Sequence, residues 1–292
     1  RYVVFLKNSF PRELTLDAVC VVVDCANGAA YKVAPTVLRE LGAEVFTVGC
    51  EPDGTNINSD CGSTDPSRAI QRVNETRADL GISLDGDADR AILIDEQGEV
   101  VDGDKILALC ALHLNDRGAL ENDTLVATVM SNIGLDLALE KHGIDVERTK
   151  VGDRYVVERM REGNFNLGGE QSGHLIFLDH TTTGDGMIAA LQVLAIMKRR
   201  GEPLSELAHV MEPLPQTLVN VDVRDKPPLE GLDDFQTEVD RVESELGDEG
   251  RVLARYSGTE SVARIMVEGP EDGIVHTHAD DLASALHRII GA

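Results

Sequence analysis

The chain has 292 residues, 42% of them hydrophobic, so it is long enough for two or three domains with ordinary cores. Its 52 acidic and 27 basic side chains leave a net charge of −25, which argues against partners such as nucleic acid or anionic membranes. The basic residues are 20 arginines and 7 lysines, a composition that suits a salt-tolerant protein or an ordinary acidic enzyme.

The cysteines and the apolar segments predict a cytoplasmic protein. There are five cysteines, no two of them in a CxxC pair, and the odd number favours reduced thiols. No apolar stretch reaches the ~18 residues that a membrane helix needs, and no signal peptide opens the chain. The first residue is Arg1 rather than Met, which suggests that an upstream segment has been removed.

A strand–helix–strand pattern opens the chain and predicts a parallel sheet. The run VCVVVD (19–24) is typical of a buried strand, Tyr31–Leu41 has helical spacing and stops at Gly42, and AEVFTVG is a second strand. LGISLD then predicts a third strand, and AILIDEQGEVVDG predicts a hairpin that turns at Gln97 and Gly98.

A second α/β block follows, and then a different C-terminal region. The second block contains predicted strands in TLVATVM, IDVERTKVG and NLGGEQSGHLIF, with helices over Leu135–His142, Arg154–Glu162 and Gly186–Arg200. A proline-rich segment, PLPQTLVNVDVRDKPPLEG, predicts a linker with an entering strand, and a helix, two strands and a final helix follow it. The predicted fold class is therefore α/β, with two consecutive mixed-sheet α/β domains, consistent with an old duplication, and a small α+β C-terminal domain. The predicted domains are a linker over 1–13, α/β domains over 14–117 and 118–214, and the C-terminal domain over 215–292.

The segment LDGDADR follows a predicted strand and places three carboxylates close together. Asp85, Asp87 and Asp89 alternate along the chain, and Gly86 permits the curve that would let them converge on a hard divalent cation. An acidic surface turn is the alternative interpretation. A calcium EF-hand fails, because Arg90 stands where that loop needs Gly and both flanks are predicted strands.

The segment GGEQSGH, between two predicted strands, has the groups that bind sugar hydroxyls. Glu170 offers an acceptor, Ser172 a hydroxyl and His174 an imidazole, while the paired glycines let the backbone approach a ligand. A polar β-turn would have a similar composition.

The segment RYSGTES predicts a phosphate clamp. Arg255 offers a bidentate fork, Ser257 and Thr259 offer hydroxyls, Gly258 lets backbone N–H groups face an anion, and Arg264 lies just beyond. A hairpin that merely carries polar residues is the alternative.

Two further loops carry polar residues. KVGDR places Lys150 and Arg154 around a glycine, and TTTGDG could be no more than a helix N-terminus capped by Asp185.

Together these loops resemble the α-D-phosphohexomutase family over essentially the whole chain. The shared segments include DGDADR, KVGDRYV, GGEQSGH, TTTGDG and RYSGTE, while CANGAAY and EPDGTNIN resemble its bacterial phosphoglucosamine mutase branch. The resemblance implies interconversion of glucosamine 6-phosphate and glucosamine 1-phosphate through a bisphosphate. Glucose or mannose phosphates are alternative substrates. It further implies a Mg²⁺ cofactor, a hexosamine phosphate as the small-molecule partner and a possible homodimer.

The resemblance also implies roles for individual residues. Three aspartates would be Mg²⁺ ligands, three cations would serve the phosphoryl group and the cleft, and two loops would bind the substrate. The metal ligands would be Asp85, Asp87 and Asp89; the catalytic cations Arg90, Lys150 and Arg154; and the substrate-binding residues Glu170, Ser172, His174, Arg255, Ser257, Gly258, Thr259 and Arg264. Ser261 departs from the family, which usually has Pro there, so the clamp loop would be less rigid.

One element of the family pattern is absent from these residues. The family's first domain carries a phosphoserine in a T-A-S-H-N-P loop, and no such run occurs here. The expectation is a chain that corresponds to the second, third and fourth domains and does not turn over alone.

Two other functional readings stay open at this stage. In a phosphatase of the haloacid-dehalogenase type, Asp85 would be the nucleophile and Asp87 the acid, but the GGEQSGH and RYSGTES loops would be unexplained. The other alternative is not an enzyme: the chain could be a non-catalytic module that binds sugar phosphates.

Overall fold

The computed structural model describes all residues from Arg1 to Ala292. They form two compact units, here called the main unit (Arg1–Ser131 and Ala138–Met211) and the C-terminal unit (Asn132–Leu137 and Glu212–Ala292). The main unit holds two sheets, and the C-terminal unit holds one.

The first sheet has five strands in the order β2-β1-β3-β4-β5. The first three are parallel, β4 is antiparallel to β3, and β5 is antiparallel to β4, so β4 and β5 form the predicted hairpin. The apolar run Val21–Val23 lies at the centre of the sheet and is completely buried, which is why the sequence there shows no polar alternation. The strands are β1 (Cys20–Asp24), β2 (Glu44–Val48), β3 (Leu80–Leu84), β4 (Ala91–Ile94) and β5 (Val100–Val101).

The second sheet repeats this arrangement with four strands in the order β7-β6-β8-β9. Again the first three strands are parallel and the last is antiparallel. The shared order supports the duplication that the sequence suggested. The strands are β6 (Thr124–Thr128), β7 (Asp145–Thr149), β8 (Leu167–Gly169) and β9 (Leu175–Phe177).

Eight α-helices occur within residues 1–211; seven belong to the main unit, and α5 is divided between the two units. The longest, α7, covers the predicted Gly186–Arg200 and contacts β3 and β4 of the first sheet as well as β9 of the second. Helix α4 packs against α7 and β8. The helices are α1 (Tyr2–Ser9), α2 (Val33–Glu40), α3 (Ser67–Thr76), α4 (Gly103–Asp116), α5 (Ile133–Glu140), α6 (Asp153–Gly163), α7 (Gly186–Arg200) and α8 (Leu204–Leu207).

Four of these helices, α1, α3, α4 and the four-residue α8, were not identified from the sequence. Residues 103–116 lack a one-sided apolar pattern because α4 is enclosed, with every residue from Ile106 to Leu112 buried. The 1–13 segment, expected to be a linker, contains α1, which buries only Leu6 and Ser9. The short helix α3 has just two buried residues, Ala69 and Val73, so its apolar signal is weak.

The C-terminal unit is an antiparallel sheet in the order β10-β12-β11 with two long helices. Its core contains Phe235, Ile265 and Leu282, all completely buried. The elements are β10 (Gln216–Asp222), α9 (Asp233–Leu246), β11 (Arg251–Tyr256), β12 (Val262–Glu268) and α10 (Asp272–Ile290). The predicted fold class is thereby confirmed.

The helices were also compared with the length and hydropathy that a bilayer requires. None is both long and apolar enough to cross one.

Candidate functional site

The acidic loop 84–90 connects β3 to β4 at the carboxyl end of a parallel strand, a common position for ligand sites in α/β sheets. One carboxylate oxygen from each of Asp85, Asp87 and Asp89 lies within 4.8 Å of the others. The left-handed residue of this turn is Ala88, with φ of 65°, rather than Gly86 as the sequence suggested. A Cβ on Gly86 would lie 2.6 Å from the end of the Ile57 side chain and 3.1 Å from Asn58 Nδ2, so these side chains would have to shift to accept a larger residue.

The electrostatics of this loop fit a divalent cation. Burial and the neighbouring carboxylates of Asp89 and Asp87 raise the pKa of Asp85 to about 6. Arg90 relieves only part of this repulsion, because its Nε lies 3.9 Å from Asp85 and 3.8 Å from Asp89. Three convergent oxygen ligands that repel one another suit Mg²⁺, which takes hard oxygen donors. An EF-hand is ruled out, because the loop is flanked by strands and Glu96, which would be the twelfth residue of an EF-hand loop starting at Asp85, accepts a hydrogen bond from Ser205 instead.

The GGEQSGH loop lies directly against this acidic loop. The amide of Ala91 donates to the carbonyl of Gly173 at 3.0 Å, and Arg90 and His174 form an isolated antiparallel bridge. The Nδ1 of the buried His174 lies 3.2 Å from Asp89 Oδ2. His174 therefore contacts a proposed metal ligand, an arrangement that its place in the sequence did not reveal.

Glu170 joins the same loop to the KVGDR segment. Its Oε1 accepts from the amide of Gly152 at 2.9 Å, and Ser172 Oγ lies 3.5 Å from Oε2. Lys150 and Arg154 are exposed beside this contact, and Arg154 pairs with Glu158 one turn further along α6 at 3.1 Å. The structure thus places these cations at the edge of the loop cluster and leaves their catalytic role a prediction.

Asp185 caps helix α7, as the sequence predicted. Its Oδ1 accepts from the amides of Met187 and Ile188 at 3.0 Å each, and Oδ2 accepts from the Tyr2 hydroxyl at 2.6 Å. The next amide, that of Gly186, donates to the carbonyl of Ala88 in the acidic loop at 3.0 Å. The TTTGDG segment therefore supports the acidic loop through a backbone hydrogen bond.

The CANGAA and EPDGTNIN segments also support the acidic loop. The amide of Ala29 donates to the carbonyl of Gly86 at 2.8 Å, and the amide of Asn58 donates to the carbonyl of Ala26 at 2.9 Å. No chemical feature of these segments pointed to this role; only their resemblance to one branch of a family singled them out.

The predicted phosphate clamp lies in the C-terminal unit, on the turn between β11 and β12. Arg255 and Arg264 are direct partners across the two strands, so their guanidinium groups share one region of the sheet. Ser257 is buried, and its Oγ accepts from the amide of Glu260 at 3.3 Å; Gly258 has open space beside it. Glu260 also accepts from Arg264 at 2.9 Å, so one of the predicted anion ligands is held by an acidic neighbour. Exposed Thr259 completes the turn.

Lys226 is a further cation at this turn that the sequence reasoning missed. Its Nζ donates to the carbonyl of Ser257 at 2.7 Å, although 31 positions separate the two residues. The only available signal was a lone lysine in an acidic, proline-rich stretch, which does not by itself indicate a site.

Comparison with protein families covers nearly the whole chain. Residues 1–98 match the phosphoglucomutase/phosphomannomutase alpha/beta/alpha domain II, residues 102–214 match domain III, and residues 218–285 match the C-terminal domain.

Curated relatives agree with this match. The chain is 57% identical over 291 residues to a phosphoglucosamine mutase of Citrifermentans bemidjiense and 59% identical over 288 residues to one of Nitratidesulfovibrio vulgaris. These alignments cover 100% and 99% of this chain but only 64% of each relative's length.

Solved structures show the same fold. A phosphoglucomutase/phosphomannomutase family protein of Burkholderia thailandensis matches with a TM-score of 0.79 and 22% identity, over 98% of this chain and 63% of that one. An Aspergillus fumigatus N-acetylphosphoglucosamine mutase, solved in complex with GlcNAc-6P and magnesium, matches with a TM-score of 0.78 and 23% identity, over 98% and 69% of the two chains. With its three consecutive domain matches, the chain belongs to the phosphoglucomutase/phosphomannomutase family.

Proposed function

We propose that the chain is the metal-, sugar- and phosphate-binding part of a phosphoglucosamine mutase. Such an enzyme moves a phosphoryl group between the 6- and 1-oxygens of glucosamine phosphate through a bisphosphate. The observation that carries the proposal is the direct connection between the aspartate triad and the GGEQSGH loop, through Arg90, His174 and Asp89. The names of the relatives at 57% and 59% identity support the choice of sugar.

The metal-binding part of the proposal rests on the acidic loop. Asp85, Asp87 and Asp89 would hold Mg²⁺, which when bound neutralises negative charge on the phosphoryl oxygens. Arg90 would remain beside the metal and bind an oxygen of the reacting phosphoryl group, since its guanidinium is anchored only by contacts of 3.8 and 3.9 Å.

The remaining residues bind and orient the substrate. Glu170 and Ser172 would accept and donate hydrogen bonds to sugar hydroxyls, and His174 would keep Asp89 in position. Lys150 and Arg154 are long, exposed cations that can swing toward a phosphorylated ligand.

The clamp around Arg255 would bind the phosphate that does not react. It recognises charge and oxygen geometry rather than the position of a phosphate on the sugar, so it can hold a phosphate on either oxygen. Replacing Arg255 by Ala should weaken binding of glucosamine 6-phosphate by roughly 1.5–3 kcal/mol, the range for charged hydrogen bonds. Isothermal calorimetry measures this, and Arg241→Ala, which removes a partly exposed arginine from helix α9, is the control. Equal affinities in the two variants would remove the clamp assignment.

Turnover provides a second test. The 292 residues contain no T-A-S-H-N-P run, so the purified chain should form no glucosamine 1-phosphate even with Mg²⁺ and the bisphosphate activator. A coupled assay measures this, with full-length enzyme excluded by mass spectrometry. Turnover that co-purifies with this chain would mean that a nucleophile has been overlooked.

Substrate choice within the family needs its own measurement. Calorimetric titration with glucosamine 6-phosphate, glucose 6-phosphate and mannose 6-phosphate should give the tightest binding for the amino sugar. Tighter binding of either neutral sugar would favour a phosphoglucomutase or phosphomannomutase instead. A separately supplied phosphoserine domain that restores turnover would argue against a purely non-catalytic binding module.

A further inference from the structure

Two cysteines meet at the carboxyl ends of neighbouring strands in the first sheet. Cys25 directly follows β1, and its amide donates to the carbonyl of Val48 at 3.0 Å, which extends the parallel ladder beyond the strands. Gly49 then adopts a left-handed φ of 57°, which ends the β conformation before Cys50. The Cys25 thiol donates to the carbonyl of Ala30 at 3.7 Å and the Cys50 thiol to the carbonyl of Val48 at 3.4 Å, and the two side chains are close enough to shift each other's pKa. The sheet thus brings together sulfurs from positions 25 residues apart.

The two thiols have different environments. Cys25 is completely buried, while Cys50 is half-buried and lines an open cavity of about 700 Å³ beside α3. Contact with Cys50, and then burial, raise the pKa of Cys25. The same contact lowers the pKa of Cys50, and Arg39 lowers it further, although burial and Asp24 act in the opposite direction. Cys50 is therefore the thiol that solutes reach, and its pKa is shifted toward the thiolate, whereas the raised pKa of Cys25 favours its protonated form.

We propose that Cys50 is a modification site for small disulfides and that Cys25 resolves the product into an internal Cys25–Cys50 disulfide. The Cys50 thiolate attacks one sulfur of a disulfide RSSR, forms a mixed disulfide and releases RS⁻. Cys25 then gives up its proton, attacks the Cys50 sulfur and displaces a second RS⁻. In total, two protein thiols are oxidised, one RSSR is reduced, and two RSH leave with the two protons.

The cavity indicates which disulfides it accepts. Its charged lining residues are Arg68, Arg72, Glu51 and Glu75, so two cations face two anions. The remaining lining is largely polar, with Asn27, Thr47 and Gln71 among its residues. A small, neutral, hydroxylated disulfide fits this balance better than a strongly charged one.

The new bond would lie next to the acidic loop. Cys25 begins the CANGAA segment, whose Ala29 amide donates to Gly86. The inference does not depend on the proposed function, because it concerns thiol chemistry that can be read without any sugar or metal.

The test uses the intact chain with bis(2-hydroxyethyl) disulfide as the probe at mildly alkaline pH, followed by acid quenching and alkylation of the remaining thiols. Combined digestion with trypsin and Asp-N places Cys20, Cys25, Cys50 and Cys61 in four different peptides. Mass spectrometry should find the Cys25 and Cys50 peptides joined to each other, with the protein lighter by two hydrogen atoms.

The variants separate the two roles. Cys25→Ser should accumulate the mixed disulfide on Cys50, and Cys50→Ser should form neither product. Cys110→Ser, which removes a buried thiol from helix α4, should behave like the parent chain. Three results would each overturn the proposal: a mixed disulfide that persists in the parent chain, a bond that uses another cysteine, or an unmodified Cys50.

Discussion

Gly28 shows how a single residue without a side chain holds the acidic loop in place. A Cβ at this position would overlap the carbonyl group of Gly86, whose oxygen already accepts from Ala29. The obstacle is backbone rather than a flexible side chain, so it cannot move aside without displacing the loop that carries Asp85 and Asp87.

Replacing Gly28 by Ala should therefore destabilise the chain by roughly 1–3 kcal/mol, the range for overpacked interiors. Urea denaturation measures the free energy of unfolding. The matched control is Gly273→Ala in α10, where a Cβ meets no atom within 4 Å and helix propensity favours Ala. Equal stability of the two variants would contradict the packing argument.

His113 is a residue whose environment makes stability depend on pH. Burial, then the guanidinium groups of Arg117, Arg199 and Arg200, lower its pKa to about 4 from an ordinary 6.5. The Nη1 of Arg199 lies 3.4 Å from the Nε2 of His113, within hydrogen-bonding distance. Because the pKa of this histidine is lower in the folded chain than in the unfolded chain, the unfolded chain binds a proton at a higher pH. Acidification therefore favours the unfolded chain.

His113 should accordingly lower stability as pH falls from about 6.5 to about 4. The slope from this group stays below the limit of about 1.4 kcal/mol per pH unit that one full proton sets. Urea unfolding at pH 7 and pH 5 should show a smaller loss in His113→Gln than in the parent chain. Parallel losses in both would show that His113 does not contribute.

At the scale of elements, the hairpin β11–β12 is tied by one internal ion pair. Arg251 and Glu268 are register partners, and the guanidinium donates to a carboxylate that is completely buried. Removing one partner of such a pair leaves a buried charge without its counter-charge, which costs far more than the pair itself contributes.

Replacing Arg251 by Met should destabilise the C-terminal unit by about 3–5 kcal/mol. Hydrogen exchange of the β12 amides, followed by mass spectrometry, should then report faster opening. The control is Arg241→Met on α9. The ion pairs of Arg241 with Glu238 and Glu245 are exposed, so their loss should lower the free energy of unfolding by less than about 1 kcal/mol. Unchanged exchange in Arg251→Met would contradict the role given to the pair.

At the scale of the whole molecule, the most prominent feature is the net charge of −25. The 52 acidic side chains outnumber the 27 basic ones by 25, so like charges repel across the folded surface. Salt screens this repulsion more effectively than it weakens the few exposed ion pairs.

The melting temperature should therefore rise between low salt and 1 M KCl. Differential scanning calorimetry measures it, and NaCl at equal ionic strength should have the same effect because screening depends on ionic strength. A melting temperature that stays flat or falls would indicate that charge repulsion does not limit stability.

Local sequence determined most elements of this protein. Buried strands such as β1 and β6 are continuous apolar runs, helix α7 has its Asp185 cap and its Gly201 terminus, and the loops that carry polar groups stand out between them. These features can be predicted because strand, cap and turn preferences depend on neighbouring residues. Helices α1 and α4 could not, because one is mostly exposed and the other is enclosed on all sides, so neither shows a one-sided apolar pattern.

Only the tertiary structure decided which loops meet. The contacts between His174 and Asp89, Glu170 and Gly152, and Cys25 and Cys50 join positions that no local pattern connects. They arise because sheet order places the ends of particular strands side by side, and that order is set by the packing of helices such as α7 against both sheets. The sequence by itself determined the chemical groups and their local elements, whereas long-range packing determined their proximity.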